Sequence, residues 1–309
     1  MNEIKIFAPG TVANVSCGFD ILGLCLETVG DEMVIRKVAK KGIKITKIVG
    51  QSLPLETAQN VAGVAGLALL NAIDVDFGFE IEIYKNIKPG SGIGSSAASS
   101  AGAVFGMNEL LGKPFTLKEL VPFAMEGERL ASGTAHADNV APALLGGFTL
   151  VKGYDPLEVI KIEAPSELYA TVIHPQIEVK TSESRSVLKQ QVSLKQMVKQ
   201  MGNLGGLISG LYTEDYDLIG RSLHDEIIEP NRSILIPAFD KVKRFSLEAG
   251  ALGSGISGSG PSIFALSKGE EIAKEVGKRM AEVYKNINVD FDVHVSKVNS
   301  EGMKILNKD

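Results

Sequence analysis

The chain has 309 residues, 44% of them hydrophobic and 22% charged, with a formal net charge of −5. That length holds two packed domains, and an acidic balance with scattered basic residues argues against nucleic acid as a partner. There is no Trp and only 6% aromatic content, so no stacking platform for single strands is expected.

No apolar run reaches membrane-spanning length, and the first residues carry no signal-peptide core. A soluble, cytoplasmic protein with no membrane partner is the expectation. Cys17 and Cys25 have no nearby histidine, which excludes a zinc site and fits buried thiols in a reducing compartment.

In chain order, residues 4–8 read as a first strand, followed by a polar loop over 9–20 and an apolar run over 21–26. Residues 33–45 alternate and contain Gly42, which predicts a hairpin. Residues 57–73 are helical. The alternating run 77–84 is a strand, and an Ala-rich helix over 97–111 follows it. Thr116 with Glu119 has capping-box spacing at the start of a helix over 116–132. A short helix over 136–145 ends at Gly146-Gly147, and 148–152 is a strand. Gly153-Tyr-Asp-Pro156 is the candidate boundary, dividing the chain into 1–153 and 154–309. Strands at 159–162 and 168–173 follow, then helices between 193 and 250, a strand after Gly253–Gly260, a charged helix over 270–284 and a final strand over 289–295. The mixture is α+β in both halves.

Between strand and helix lies Pro89-Gly-Ser-Gly-Ile-Gly-Ser-Ser-Ala-Ala-Ser-Ser100. Glycines let backbone N–H groups approach a ligand closely, and the helix behind supplies unpaired N–H groups and a positive dipole end. Together they make a phosphate site, against the plainer reading of a flexible turn. It is not a Walker loop, since no lysine follows Gly94. Gly253-Ser-Gly-Ile-Ser-Gly258 has dinucleotide-motif spacing, but a strand follows it where that motif needs a helix.

Pro-Gly-Ser-Gly-Ile-Gly-Ser-Ser-Ala-Ala resembles the phosphate loop of the GHMP kinase superfamily. Ile93 stands where Leu is usual, and the family's proline often sits where this chain has Lys88. Pro9-Gly-Thr-Val-Ala-Asn-Val-Ser-Cys-Gly-Phe-Asp-Ile-Leu-Gly23 is similar to the family's first motif, and Gly253-Ser-Gly-Ile-Ser-Gly-Ser-Gly-Pro-Ser262 to its third. The resemblance spans nearly the whole chain. It implies a ribosomal-S5-like N-terminal domain, a ferredoxin-like C-terminal domain, ATP as phosphoryl donor and Mg2+. It assigns ATP to Pro89, Gly90, Ser91, Gly92, Ile93, Gly94, Ser95, Ser96, Ala97, Ala98 and Ser99.

Within the superfamily, His136-Ala-Asp-Asn-Val-Ala-Pro142 is similar to the homoserine kinase branch. Capping of a helix by Asp138 or Asn139 accounts for one of its polar residues but not all three. The resemblance implies that Ser96 and Glu128 hold the metal, with Glu126 as a rival and a solvated helix residue as the plain alternative. It implies that Asn14, His136 and Asn139 serve the reacting hydroxyl. It further implies that Asn14, Asp20, His136, Asp138, Thr181, Arg185 and Arg232 bind an L-amino-acid substrate. Asp20 suits an ammonium group, and two arginines suit a carboxylate through their planar forks. Alone, Asn14 and Asp20 fit an ordinary turn, and each arginine an ordinary surface position. Gly10 replaces a usual Ala, and Ser16-Cys17 a usual Gly-Pro. The implied activity is phosphorylation of the homoserine hydroxyl, in threonine biosynthesis. Another GHMP kinase or decarboxylase, and a non-catalytic binding protein, stand as alternatives. No Lys–Asp base pair is evident, so direct attack by the hydroxyl is expected. Assembly is not legible in the sequence, and a homodimer is left open.

Overall fold

A computed structural model describes residues 2–177, 179 and 181–308, with the backbone alone at 181, 182 and 308. The first half is β1 (Glu3–Ala13), β2 (Leu22–Val38), β3 (Gly42–Val49), α1 (Val61–Asn71), β4 (Gly78–Tyr84), α2 (Ser95–Leu110), α3 (Leu117–Ser132), α4 (Val140–Leu145), β5 (Phe148–Tyr154) and β6 (Leu157–Ile162). The second is β7 (Leu168–Pro175), α5 (Thr181–Ser186), α6 (Leu194–Thr213), α7 (Tyr216–Ser222), α8 (Glu229–Arg232), α9 (Phe239–Glu248), β8 (Gly253–Ile256), β9 (Ile263–Lys268), α10 (Glu270–Lys285), β10 (Phe291–Lys297) and β11 (Lys304–Lys308).

The first sheet runs β11-β1-β2-β4-β3, with β5 on the N-terminal part of β2 and β6 beside β5. Three sequence expectations are corrected. The alternation over 33–45 is not a hairpin: β4 inserts between β2 and β3, antiparallel to the one and parallel to the other. Alternation specifies a half-buried strand but not its neighbour. The loop expected from residue 9 is largely strand, because β1 passes through Pro9 with an irregularity before Thr11 and ends at Ala13; an irregularity of this kind tolerates a proline. A further strand, β11, follows the one expected to be last and pairs with β1. Gly153-Tyr-Asp-Pro156 turns the β5–β6 hairpin within the first sheet, so a division at 153/154 cuts that hairpin.

The second sheet is antiparallel, β10-β7-β9-β8, and is buried on both faces. Leu168, Ala170 and Val172 of β7, with Phe264 and Leu266 of β9, join the core that holds the first sheet, α1 to α4 and the inner faces of α6 and α7. Ile173, Ile263 and Ala265 face α9 and α10 on the other side. This two-sided burial explains the unbroken apolar run of β9.

Two capping devices hold the helices nearest the cleft. Thr116 and Glu119 form the expected capping box on α3. The Asn60 side chain caps α1, accepting from the N–H groups of Ala62 and Gly63.

Candidate active site

Helix α2 begins with nine Ser, Ala and Gly residues, Ser95 to Ala103, and nearly all of it is buried. Small residues let it lie close under the first sheet, where Gly102 and Gly106 sit against Met33 and Ile35. Its first turn has no side-chain cap, so those N–H groups and the positive dipole end open into the cleft. Gly94 precedes the helix at φ 66, where an added Cβ would lie 2.0 Å from Thr11 Oγ1. Gly92, at φ 80, packs on the third glycine motif: a Cβ there would lie 2.6 Å from the carbonyl oxygen of Ser257. Ser257 Oγ donates to Gly92 O at 2.7 Å. The third motif therefore braces the phosphate loop.

The cleft has a volume of about 370 Å³. Pro89, Gly90, Gly92 and Gly94 line it, with Ser95, Ser96 and Ser99 beyond them. Ile93, Ala97 and Ala98 turn into the core, and Ser91 is buried with its Oγ accepting from Ile93 N. The eleven-residue run assigned to ATP thus divides into a lining part and a supporting part.

Glu128 reaches the cleft floor from α3 and is buried. One carboxylate oxygen has no hydrogen-bond partner, while Ser96 hydrogen-bonds to the group. Burial pushes its carboxyl up to about 7, against the lowering effects of Ser96 and the Lys85 charge. Glu126 is exposed and paired with Arg129, which removes it as a rival. A buried carboxylate with one orphaned oxygen beside a serine fits Mg2+, which takes few protein oxygens and completes its shell from phosphate and water.

The sequence reading missed Lys85 and Asp31. They form a buried ion pair behind the loop. Lys85 Nζ also donates to Ser95 O at 2.9 Å and Ser99 Oγ at 3.1 Å. Asp31 Oδ1 accepts the N–H groups of Asn86 and Ile87 at 2.8 and 2.9 Å. The pair thus holds both ends of the glycine loop. The residues lie 54 positions apart, so no local signal joins them. Neither lies in an element expected from the sequence: Lys85 follows the run 77–84, and Asp31 falls between the runs 21–26 and 33–45.

Asn14, Asp20, His136, Asp138, Asn139, Arg185 and Arg232 also line the cleft. The side chain of Thr181 lies outside the described residues. Asn14, Val15, Ser16 and Asp20 all have positive φ, between 40 and 70, a concentration of backbone strain that marks a functional loop. Asn14 secures that loop: its Nδ2 donates to Gly258 O at 2.7 Å, and its Oδ1 accepts from Asp20 N at 2.9 Å. Tyr154, also missed, donates to Asp20 O at 3.0 Å and accepts from Ala137 N at 3.2 Å, joining the two substrate-side loops.

Asn139 does not cap α4 with its side chain; its Oδ1 accepts from Thr11 Oγ1 at 2.7 Å. Burial raises the Asp138 carboxyl to about 7, helped by the nearby charges of Asp20 and Glu128. Arg185 donates to both oxygens of Asp20, at 2.9 and 3.2 Å, and through Nη2 to His136 Nε2 at 2.9 Å. A guanidinium only donates, so Nε2 is the unprotonated nitrogen. Burial lowers the His136 pKa, which favours the same neutral form. Arg232 donates to Ser184 O and Gly258 O, and both guanidiniums pack on the Phe19 ring, 4.9 Å away for Arg232 and 5.6 Å for Arg185. Burial lowers Arg232 to about 10, still charged at neutral pH.

A glycine loop at an uncapped helix start, sharing one cleft with two arginines and two aspartates, fits a small-molecule kinase site. The family model described as GHMP kinases N terminal domain matches residues 57–147, and that described as GHMP kinases C terminal matches 194–286; the chain belongs to the GHMP kinase family. A homoserine kinase of Chloroherpeton thalassium is 45% identical over 99% of this chain and 100% of its own. One from Methanococcus vannielii is 42% identical over 92% and 94%. The crystal structure of homoserine kinase from Cytophaga hutchinsonii superposes with a TM-score of 0.96 at 52% identity, covering 99% of this chain and 98% of that one. L. major mevalonate kinase, at 17% identity and a TM-score of 0.70 over 95% and 96% of the two chains, shares the fold.

Proposed function

We propose that the protein transfers the γ-phosphoryl group of ATP to the side-chain hydroxyl of L-homoserine, giving O-phospho-L-homoserine for threonine synthesis. The observation that carries this reading is that Asp20, Arg185 and Arg232 line the same cleft as the glycine loop. A substrate with an ammonium and a carboxylate engages all three charges, whereas mevalonate has no ammonium to offer Asp20 and a sugar has neither charge. The full-length relatives named homoserine kinase support the same reading. Both cysteines are free and buried, in keeping with a reducing, cytoplasmic setting.

In this reading the loop amides and the start of α2 hold the phosphates, while Asp20 and the arginines fix the amino-acid end. Phosphoryl transfer asks chiefly for in-line positioning and charge neutralisation. Mg2+ on Ser96 and Glu128 would neutralise phosphate charge. His136 offers its lone pair to Arg185 and so orients a substrate arginine. Lys85 has its donors engaged by Asp31, Ser95 and Ser99 and does not serve as a base. In this reading the hydroxyl attacks directly and its proton passes late to a phosphate oxygen, as a loose transition state allows.

The deciding experiment is a coupled ADP-release assay offering homoserine, mevalonate, galactose and shikimate in parallel. Turnover with homoserine alone is expected. Preference for one of the others would assign the protein to a different substrate within the family.

A further inference from the structure

The pocket contains an ion pair between two of its own charged lining groups, Asp20 and Arg185. Arg185 grips Asp20 bidentately, at 2.9 and 3.2 Å. The two side chains are 34% and 25% exposed, so a ligand in the cleft can reach both. Their neighbours are fixed. Asp20 is held through its backbone by Asn14 and Tyr154, and Arg232 by two carbonyls and the Phe19 ring. Arg185 projects from the six-residue helix α5, and its Nε is buried without a partner. Arg185 also rests on His136 Nε2 and the Phe19 ring, contacts it can keep while it exchanges Asp20 for another anion.

We infer that the Asp20–Arg185 pair is a resident stand-in for a zwitterion, which the substrate displaces by exchange of partners. The inference rests on the amino-acid reading of this pocket. An incoming ammonium takes Asp20, and the carboxylate takes Arg185 beside Arg232. Asp20 and Arg185 then each have a charged partner before and after binding. A ligand with only one of the two charges either leaves the pair closed and forgoes its contacts, or opens it and leaves one member unpaired in a partly dry pocket; either course costs affinity. The pair thus selects for molecules carrying both groups and rejects hydroxy acids and amino alcohols of the same length. This is selection by an unpaired-charge penalty.

The test is calorimetry of L-homoserine, 4-hydroxybutyrate and 3-aminopropan-1-ol on the wild type, Asp20→Asn and Arg185→Met, with thermal melting of each. Asparagine tolerates the positive φ of position 20 and keeps the side-chain shape. The wild type is expected to bind homoserine at least ~10-fold more tightly than either analogue. In Asp20→Asn, homoserine weakens by ~10-fold or more, while 4-hydroxybutyrate tightens about threefold to tenfold because Arg185 is released. In Arg185→Met, 3-aminopropan-1-ol tightens by a similar factor because Asp20 is released. If neither analogue gains on a folded variant, the pair is no stand-in and the inference is overturned. Should the wild type release no ADP with homoserine, the substrate assignment falls instead, and the analogue gains still decide the role of the pair.

Discussion

Glu128 shows how burial changes the chemistry of one side chain. Its carboxyl is raised from 4.5 to about 7 by desolvation. A carboxyl raised in the folded state stabilises the fold fully below the unfolded pKa and loses that contribution as pH rises through the folded value. In metal-free protein, Glu128→Gln is therefore expected to gain stability relative to wild type as pH rises from about 4.5 to about 7, with a constant gap above. Metal-free melting curves across that range check this, and a gap independent of pH would remove the buried-carboxyl assignment. The same variant is expected to bind homoserine normally and lose most turnover, by ~10²-fold or more for a group acting on transferring charge; near-normal kcat at saturating Mg2+ would refute it. His136→Gln keeps an acceptor for Arg185, so it should retain measurable kcat and mainly raise the homoserine KM. If instead kcat falls ~10²-fold and an acidic limb vanishes from its pH profile, His136 is a base.

At the scale of elements, the phosphate loop is set by contacts from opposite sides. Behind it lies the buried Lys85–Asp31 pair, and beside it the third glycine motif. Lys85→Met leaves Asp31 buried without its cation, which costs about 3–5 kcal/mol. Adding Asp31→Asn should recover part of that loss, because the double variant buries no charge. A double-mutant cycle on unfolding, with ATP-analogue affinity measured in parallel, tests the coupling; additive losses would show that the two residues act independently. Gly92→Ala forces a Cβ into the Ser257 and Gly260 carbonyls at a positive φ, at a cost of about 1–3 kcal/mol. Its ATP KM should rise more than its homoserine KM, and equal rises would show that the brace serves the whole cleft.

For the whole molecule, the first sheet is completed by the last strand. Pairing of β11 with β1 covers an edge of the sheet, and an uncovered edge is a template for association. Removal of residues 303–309 is expected to lower the melting temperature and promote aggregation, read by scattering against melting. A truncated protein that stays monodisperse at the wild-type melting temperature would show that β11 is dispensable.

The local chemistry of the site was legible in the residues themselves. A strand, alternating glycines and a small-residue helix can be read as a phosphate cradle because each step is a backbone property of neighbouring residues. The capping box on α3 is equally local. Glu128 and the paired arginines became candidates only through resemblance to a family, since charge on a helix or loop has no sequence mark that separates solvent from cleft. Only tertiary structure decided the rest. It put β4 between β2 and β3, returned β11 to the first sheet, paired Asp31 with Lys85, and joined Asp20 to Arg185 across 165 positions. These contacts depend on long-range packing and on the desolvation it creates. Neither is encoded in any one stretch of the chain.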